Sequence, residues 1–208
     1  MARLTSGING HFIGKVGTVV GATWNGIPYM KSAPVKRGRK AGSREKQNRN
    51  KFAMAHYWLQ PLLGFVREGF KNFSQRSYGF NAAKSHVLRN AFEGVQPGIS
   101  INPALVQLST GDLPLARNIT AERAAAGRIL FTWDKDYTPG GDDYDQVMVL
   151  AYNIEDYNTF YTITGQFRNT GAHTLTVKPG RTYHLWLAFT AADRTRQSDS
   201  VYLGSIKG

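Results

Sequence analysis

Arg128-Ile-Leu-Phe-Thr-Trp133 is the first of several short segments in the second half of the chain that alternate between apolar and polar residues or are apolar throughout. The others are Gln146–Tyr152, Thr159–Phe167, His173–Val177, Thr182–Phe189 and Ser200–Ile206. Turn-forming residues, such as Pro139-Gly140-Gly141 and Pro179-Gly180, separate these segments. Short strands at regular spacing with such turns predict an antiparallel β-sandwich, which we place at residues 97–208.

The N-terminal segment, residues 1–33, is rich in glycine and in strand-forming residues. Asn25-Gly26 is the dipeptide favoured in two-residue turns, and it predicts a β-hairpin with strands near 15–24 and 27–32. Pro28 cannot donate a ladder hydrogen bond, so the second strand is expected at an edge. Glycines permit close approach by another backbone, and we predict an assembly arm. Its proposed contact residues are Gly14, Gly17, Gly21, Trp24 and Tyr29.

Residues 52–96 show the spacing of amphipathic helices. Pro61 is expected to divide the first run into helices near 43–59 and 61–73, and a third helix is predicted at 81–93, with Asn81 as its cap. Aromatic residues recur at the helical period, which favours a place in the core over a base-stacking surface. These aromatic residues are Phe52, Tyr57, Trp58, Phe65, Phe70 and Phe73.

The connector between arm and helices, residues 34–51, has eight Lys or Arg residues among eighteen and a single acid, Glu45. Residues 1–96 as a whole hold 16 Lys and Arg against 3 Asp and Glu, whereas residues 97–208 hold 10 and 11. This asymmetry favours a sequence-independent polyanion-binding face, with a solvated linker as the alternative. Its predicted contacts are Lys36, Arg37, Arg39, Lys40, Arg44, Lys46, Arg49 and Lys51.

Residues with catalytic or metal-binding chemistry form no recognisable constellation in the sequence, which predicts that the protein is not an enzyme and has no cofactor or metal. There is no cysteine, and the histidines lack ligand spacing. Gly14-Lys15-Val16-Gly17-Thr18 lacks the strand–loop–helix setting of a phosphate-binding loop. Aspartates gather between Asp134 and Asp145. A solvated loop is the simplest interpretation, but a Ca²⁺ site or a contact with a basic stretch of a neighbouring subunit stays open.

The second half resembles a fibronectin type III or related immunoglobulin-like module. The residues that carry this resemblance are Trp133, Val177-Lys178-Pro179-Gly180-Arg181-Thr182-Tyr183 and Ser198-Asp199-Ser200. It implies that a tryptophan of an early strand packs under a tyrosine that follows a Pro-Gly turn. The resemblance bears on the fold and implies no function.

The whole chain also resembles an uncharacterised bacterial family known as a domain of unknown function. The matching segments are Gly14–Gly21 with Trp24-Asn25-Gly26, Asn81–Ser85 through Asn90–Phe92, Gly111-Asp112-Leu113-Pro114 and Tyr202-Leu203-Gly204. The resemblance brings no activity with it. It implies that the two halves of the chain belong together.

The sequence thus predicts an α+β protein, with an N-terminal β-hairpin arm and short helices before an immunoglobulin- or fibronectin III-like sandwich. The leading hypothesis is a non-enzymatic structural protein of a repeating assembly, such as a phage particle or filament. Its partners would be other copies or neighbouring subunits, and nucleic acid or another polyanion. The alternative is a sequence-independent nucleic-acid-binding protein. Without a signal peptide or a membrane span in the sequence, the expected location is the cytoplasm or a virion.

Overall fold

A computed structural model describes residues 3–4, 10–24, 26–36, 38–73, 79–95, 98–136 and 139–208. The chain divides into two compact units, an N-terminal unit of Met1–Ser43 and a C-terminal unit of Arg44–Gly208. Asn25 of the predicted turn, Arg37 of the basic connector and Pro97 at the predicted domain boundary lie outside the described residues.

The N-terminal unit contains a four-stranded sheet whose neighbours in sequence are also neighbours in space. Its strands are β1 (Arg3–Leu4), β2 (Phe12–Val16), β3 (Val19–Trp24) and β4 (Ile27–Ser32). The predicted hairpin is confirmed for β3 and β4, which pair antiparallel from Trp24 and Ile27. A continuous strand over 15–24 is wrong, because Gly17, with φ +56°, turns the chain between β2 and β3. Strand β4 lies at the sheet edge, where Pro28 is tolerated.

Gly21 is the position where two backbones of this unit approach closely. It is buried on β3, and a Cβ atom there would collide with the carbonyl oxygen and the ring of Phe12 on β2. The close approach expected from the glycine pattern therefore occurs at Gly21 inside the arm. A larger residue would push β2 away from β3.

The first helices of the chain are α1 (Ser43–Leu59), α2 (Leu63–Gly69) and α3 (Gly79–Asn90), and all but Ser43 belong to the C-terminal unit. Pro61 separates α1 from α2 within a short 3₁₀ turn, Gln60–Leu62, as predicted. The bounds predicted for the third helix are wrong at both ends. Its last predicted residues, Phe92–Glu93, form the short strand β5, which pairs with β6 (Ser100–Ile101).

In the described part of the chain, seven strands follow β6 and form two sheets. They are β7 (Thr120–Ala125), β8 (Arg128–Thr132), β9 (Gln146–Asn153), β10 (Asn158–Thr162), β11 (Ala172–Thr176), β12 (Thr182–Thr190) and β13 (Val201–Lys207). One sheet has the order β11-β8-β7 and the other β10-β9-β12-β13. The six predicted strands are present, with a shorter β10. Strand β7 was missed because its sequence, Thr-Ala-Glu-Arg-Ala-Ala, lacks β-branched and aromatic residues after Thr120.

The central strands β9 and β12 are buried on both faces. On one face, Met148, Leu150, Tyr152 and Trp186 pack against residues of α1, α2 and α3. On the other, alternate residues of the same strands pack against the three-stranded sheet. These residues are Val147, Val149, Ala151, Leu185, Leu187 and Phe189. The C-terminal unit therefore has three layers, with the four-stranded sheet in the middle.

The predicted core residues Trp133 and Tyr183 are both buried, although their aromatic partners differ from the expectation. Trp133 meets the ring of Phe189 edge-on at 5.5 Å and donates from Nε1 to the carbonyl oxygen of Arg168 at 2.7 Å. Tyr183 packs on Phe160 and donates its hydroxyl to the carbonyl oxygen of Lys178 at 3.1 Å. This bond to the backbone just upstream is the tyrosine corner of immunoglobulin-like sandwiches.

Trp133→Ala is expected to lower the free energy of unfolding of the full-length protein by about 3–5 kcal/mol, because it leaves a large cavity in the sandwich core. Trp133→Phe keeps most of the ring but removes the bond to Arg168, and about 1–3 kcal/mol should be lost. Denaturant titration measures both changes. A loss below about 1 kcal/mol for the alanine variant would show that Trp133 is not a central packing residue.

Candidate polyanion-binding and assembly surfaces

The N-terminal unit contains cations and no carboxylate side chain. Residues 1–43 hold seven Lys or Arg residues and no Asp or Glu, and the first acid of the chain is Glu45. The seven are Arg3, Lys15, Lys31, Lys36, Arg37, Arg39 and Lys40. Because no acidic side chain within this unit can neutralise them, these cations favour contact with an anionic surface.

The connector begins where the arm ends. The backbone N–H of Ala33 donates to the carbonyl oxygen of Thr18 at 2.8 Å, which is the last bond of the sheet. Beyond it the described residues up to Gly42 adopt neither helix nor strand, and Lys36, Arg39 and Lys40 are exposed. These three predicted contact residues are therefore accessible to solvent. Arg37 lies outside the described residues.

The first two turns of α1 continue the basic sequence. Arg44, Lys46 and Arg49 are exposed, whereas Lys51 is half-buried with its Nζ atom 5.7 Å from the centroid of the Phe92 ring. Arg49 donates to Glu45 at 2.6 Å, one helical turn away. An exposed pair of this kind contributes about 0.3–0.5 kcal/mol, so it does not prevent Arg49 from binding a phosphate. Three of the four predicted cations of α1 thus face solvent, while Lys51 lies beside Phe92.

One face of the arm is apolar and exposed. The strand register places Ile13, Trp24, Ile27 and Tyr29 on this face, with exposed fractions of 46%, 50%, 57% and 42%. Lys15 and Lys31 lie on the same face, and the Lys31 Nζ atom is 5.8 Å from the centroid of the Tyr29 ring. Met30 on the opposite face is 71% exposed. The two proposed contact residues with large side chains, Trp24 and Tyr29, therefore share one surface with two lysines.

The outer edge of β4 offers backbone groups for pairing. The N–H of Ala33 points towards β3, because it donates to the carbonyl oxygen of Thr18. In an antiparallel pair the backbone groups alternate along the strand, so the N–H groups of Lys31 and Tyr29 also point towards β3. The N–H groups of Met30 and Ser32 therefore point away from the sheet, whereas Pro28 has none. This edge is a template for a further strand.

The aspartate-rich loop is partly built into the sandwich. Asp145 is buried and forms an ion pair with Arg168, in which Nε lies 3.2 Å from the carboxylate. The Asp145 carboxylate also accepts from the backbone N–H of Asp142 at 2.9 Å. Asp142 and Asp143 remain exposed. In the part of the chain that the structure describes, no group of three metal-ligating side chains is found.

Arg168 is held from several sides. Its Nη2 donates to the carbonyl oxygen of Pro114 at 2.7 Å, and its guanidinium carbon lies 4.2 Å from the centroid of the Phe189 ring. Burial lowers the pKa of Arg168, and the neighbouring charge of Asp145 opposes that shift. The Asp145–Arg168 pair therefore connects the loop after β10, which carries Arg168, to Phe189 on β12 and to Pro114 before β7.

Asp145→Asn is expected to destabilise the full-length protein by about 3–5 kcal/mol, because it leaves the Arg168 charge buried without its partner. Asp142→Asn is the matched control, since it removes the same charge from an exposed position of the same loop and keeps the Oδ1 acceptor for the N–H of Tyr144. It should change stability by less than about 0.5 kcal/mol. Thermal or denaturant unfolding measures the difference. Equal effects of the two substitutions would show that Asp145 has no special role in stability.

The Gly111-Asp112-Leu113-Pro114 segment crosses the loop before β13. The backbone N–H of Leu113 donates to the carbonyl oxygen of Gln197 at 3.0 Å, and a Cβ atom at Gly111 would collide with the same oxygen. Asp199 accepts from the Thr110 hydroxyl at 2.9 Å. The glycine is thus required by close backbone approach inside the C-terminal unit.

A polar cleft beside this crossing could not be seen in the sequence. It has a volume of about 320 Å³ and is formed by three distant segments, 72–73, 110–112 and 195–199. Gln197 is 1% exposed, and its Nε2 atom has no hydrogen-bond partner among the described residues. No spacing rule connects segments so far apart, which is why sequence analysis missed the cleft.

The order β11-β8-β7 in one sheet and β10-β9-β12-β13 in the other, together with the Tyr183 corner, defines a fibronectin type III-like sandwich. The chain belongs to the family described as Family of unknown function (DUF6266), whose model matches residues 11–204. This match spans both units, in agreement with the family resemblance of the sequence. The predicted α+β class with a fibronectin III-like module is confirmed.

Among solved structures, the chain is similar to the FN1–FN3 domains of chicken CNTN1, with 10% sequence identity and a TM-score of 0.28. The match covers 45% of this chain and 33% of that one. No curated protein matches the sequence. In the described residues, no helix is long and apolar enough to cross a membrane.

Proposed function

We propose that the protein is a non-enzymatic assembly protein whose N-terminal arm pairs with a neighbouring copy and whose basic connector binds a polyanion. The observation that carries the proposal is the exposed apolar face of an arm that contains no acidic side chain. A repeating assembly such as a phage particle or filament would use both the apolar face of the arm and the basic connector. The protein would then be located in the cytoplasm or in a virion.

The arm supports the assembly part of the proposal. Exposed Trp24, Ile27 and Tyr29 form an apolar surface on a small sheet, and such surfaces commonly mark interaction sites. The outward edge of β4 adds backbone donors at Met30 and Ser32, which suits addition of a strand from another chain. If the arm binds a different surface of the next copy, the contact is head-to-tail and gives rings or filaments.

The connector supports the polyanion part. Lys36, Arg39 and Lys40 are exposed in a segment without helix or strand, and Arg44 and Lys46 follow on α1. Such cations bind phosphates without reading base sequence. A second candidate function, a sequence-independent nucleic-acid-binding protein that does not assemble, rests on these same cations.

Met30→Pro is expected to reduce assembly of the full-length protein while the arm keeps its fold, because it removes an N–H that points away from the sheet. Met30→Ala is the matched control, since it shortens the same side chain and retains the N–H, and it should still assemble. Sedimentation over a range of protein concentrations measures both. A full-length protein that stays monomeric at high concentration, with and without DNA, would rule out assembly and leave the nucleic-acid-binding function.

Replacing Lys36, Arg37, Arg39 and Lys40 by Ala should weaken binding to duplex DNA and reduce its salt dependence. Each phosphate interaction that is removed lowers the slope of log K against log salt by about 0.9, so up to about 3.6 is expected for four. Replacing the exposed residues Arg123, Arg128, Lys178 and Lys207 instead removes the same charge from the sandwich and is the control. An identical salt slope for the connector variant and the unmodified protein would exclude the connector from polyanion binding.

A further inference from the structure

The polar cleft formed by segments 72–73, 110–112 and 195–199 adjoins a second cavity within the C-terminal unit. This second cavity has a volume of about 130 Å³ and is lined by residues of α3, among them His86, so we call it the His86 cavity. Phe73 and Thr110 line both cavities. Small-ligand sites usually measure about 300–1,000 Å³, and the polar cleft alone, at about 320 Å³, reaches that size.

Phe73, which lines both cavities, is an exposed aromatic residue. It is 57% exposed, although helical spacing predicted it in the core, and that prediction is confirmed for Trp58, Phe65 and Phe70. The ring meets that of Phe70 edge-on at 5.8 Å, which leaves part of its surface accessible. The face of an aromatic ring carries partial negative charge and attracts the weakly positive C–H groups of a ligand.

Two buried polar atoms of the lining residues have no hydrogen-bond partner among the described residues. They are Nε2 of Gln197 in the polar cleft and Nδ1 of His86 in the His86 cavity. Gln197 is 1% exposed, and its Oε1 accepts from the Nδ2 atom of Asn72 at 3.5 Å. An unpaired buried polar group is costly, so a ligand that supplies the missing partner gains affinity.

The carboxylates of the polar cleft are held in place by neighbouring groups. Asp199 Oδ1 accepts from the Thr110 hydroxyl at 2.9 Å and from the backbone N–H of Gly111 at 3.2 Å. Asp112 Oδ2 lies 3.7 Å from Nη1 of Arg196. The two oxygens of a carboxylate can together accept about four hydrogen bonds, so both aspartates can receive further donors from a ligand.

The walls of the two cavities carry no net charge. Their charged lining residues are two arginines and two aspartates, Arg89, Arg196, Asp112 and Asp199. Burial lowers the pKa of His86, which keeps its imidazole neutral at pH 7. Equal numbers of cations and carboxylates favour neither a polyanion nor a metal ion, and the aspartates would repel a phosphate group. Four amide side chains, each able to donate and accept, also line the cavities, namely Asn72, Asn90, Gln107 and Gln197.

We propose that the polar cleft and the His86 cavity bind a short neutral oligosaccharide. Each hydroxyl group of a sugar both donates and accepts, which suits walls that offer the unpaired Gln197 amide beside carboxylate acceptors. The C–H face of a sugar ring would pack on Phe73. A peptide needs apolar pockets for its side chains, whereas most residues that line these cavities are polar. This binding would depend neither on the basic connector nor on assembly.

The test applies the full-length protein to printed arrays of neutral oligosaccharides, acidic oligosaccharides and unmodified peptides, and titrates the best neutral ligand by calorimetry. Phe73→Ala should weaken neutral binding by about 10-fold or more, because the ring contact and its buried apolar area are lost. Phe73→Tyr keeps the ring and should bind like the unmodified protein. Gln197→Met should weaken binding by roughly 5- to 140-fold, because it keeps the approximate shape of the buried side chain and removes the amide donor.

Phe52→Ala is the matched control, because Phe52 is 50% exposed and lines neither cavity. Thermal unfolding checks that the Gln197→Met variant is folded, and the exposed position of Phe73 keeps the comparison decisive if it is not. The proposal would be overturned if no neutral oligosaccharide bound at millimolar concentration, or if both cleft variants bound as well as the control.

Two further outcomes would assign the binding elsewhere and overturn the neutral carbohydrate site. Binding confined to acidic oligosaccharides would support the polyanion function proposed for the connector. Binding of peptides that depends on Phe73, without binding of any neutral oligosaccharide, would show that the cleft recognises peptides.

Discussion

Met148 and Leu150 on β9 face the helices, whereas Val147 and Val149 on the same strand face the three-stranded sheet. Burial on both faces makes the helices a necessary part of the sandwich. Without them, Tyr152 and Trp186 would be exposed, and a large buried side chain contributes about 1.5–3 kcal/mol. Their polar atoms are satisfied by the covering layer, since the Tyr152 hydroxyl donates to the carbonyl oxygen of Trp58 and the Trp186 indole donates to that of Val106. Burial also raises the pKa of Tyr152.

The sequence of β9 shows how far local pattern determines this fold. The unbroken apolar run from Val147 to Tyr152 is typical of a strand that is covered twice, and its position was predicted to within one residue. Strand β7 was not predictable in this way, because it is held by pairing with β8 and not by its own side chains. The helical period was equally uninformative for Phe52, Tyr57 and Phe73, which were predicted in the core but are exposed. The spacing of residues along a helix does not show whether that face of the helix is covered.

Electrostatic roles were harder to predict than strands. Five aspartates between Asp134 and Asp145 look alike in sequence, yet only the fold turns Asp145 inward to meet Arg168, twenty-three residues away. The number of cations in the connector can be counted from the sequence alone. The structure adds that Lys51 lies beside Phe92, whereas the other α1 cations, Arg44, Lys46 and Arg49, face solvent. Composition gives the number of charged residues, whereas the fold determines which of them are already in ion pairs.

The two units differ in how far their large apolar side chains are buried. The C-terminal unit buries its large side chains between three layers, whereas the arm leaves Trp24, Ile27 and Tyr29 exposed beside lysines. An apolar contact made by these residues would be strengthened by sulfate or phosphate salts, which favour burial. A phosphate contact made by the connector would be weakened by added salt of any kind. Because the two contacts respond to salt in opposite directions, ionic conditions separate the assembly role of the arm from the polyanion role of the connector.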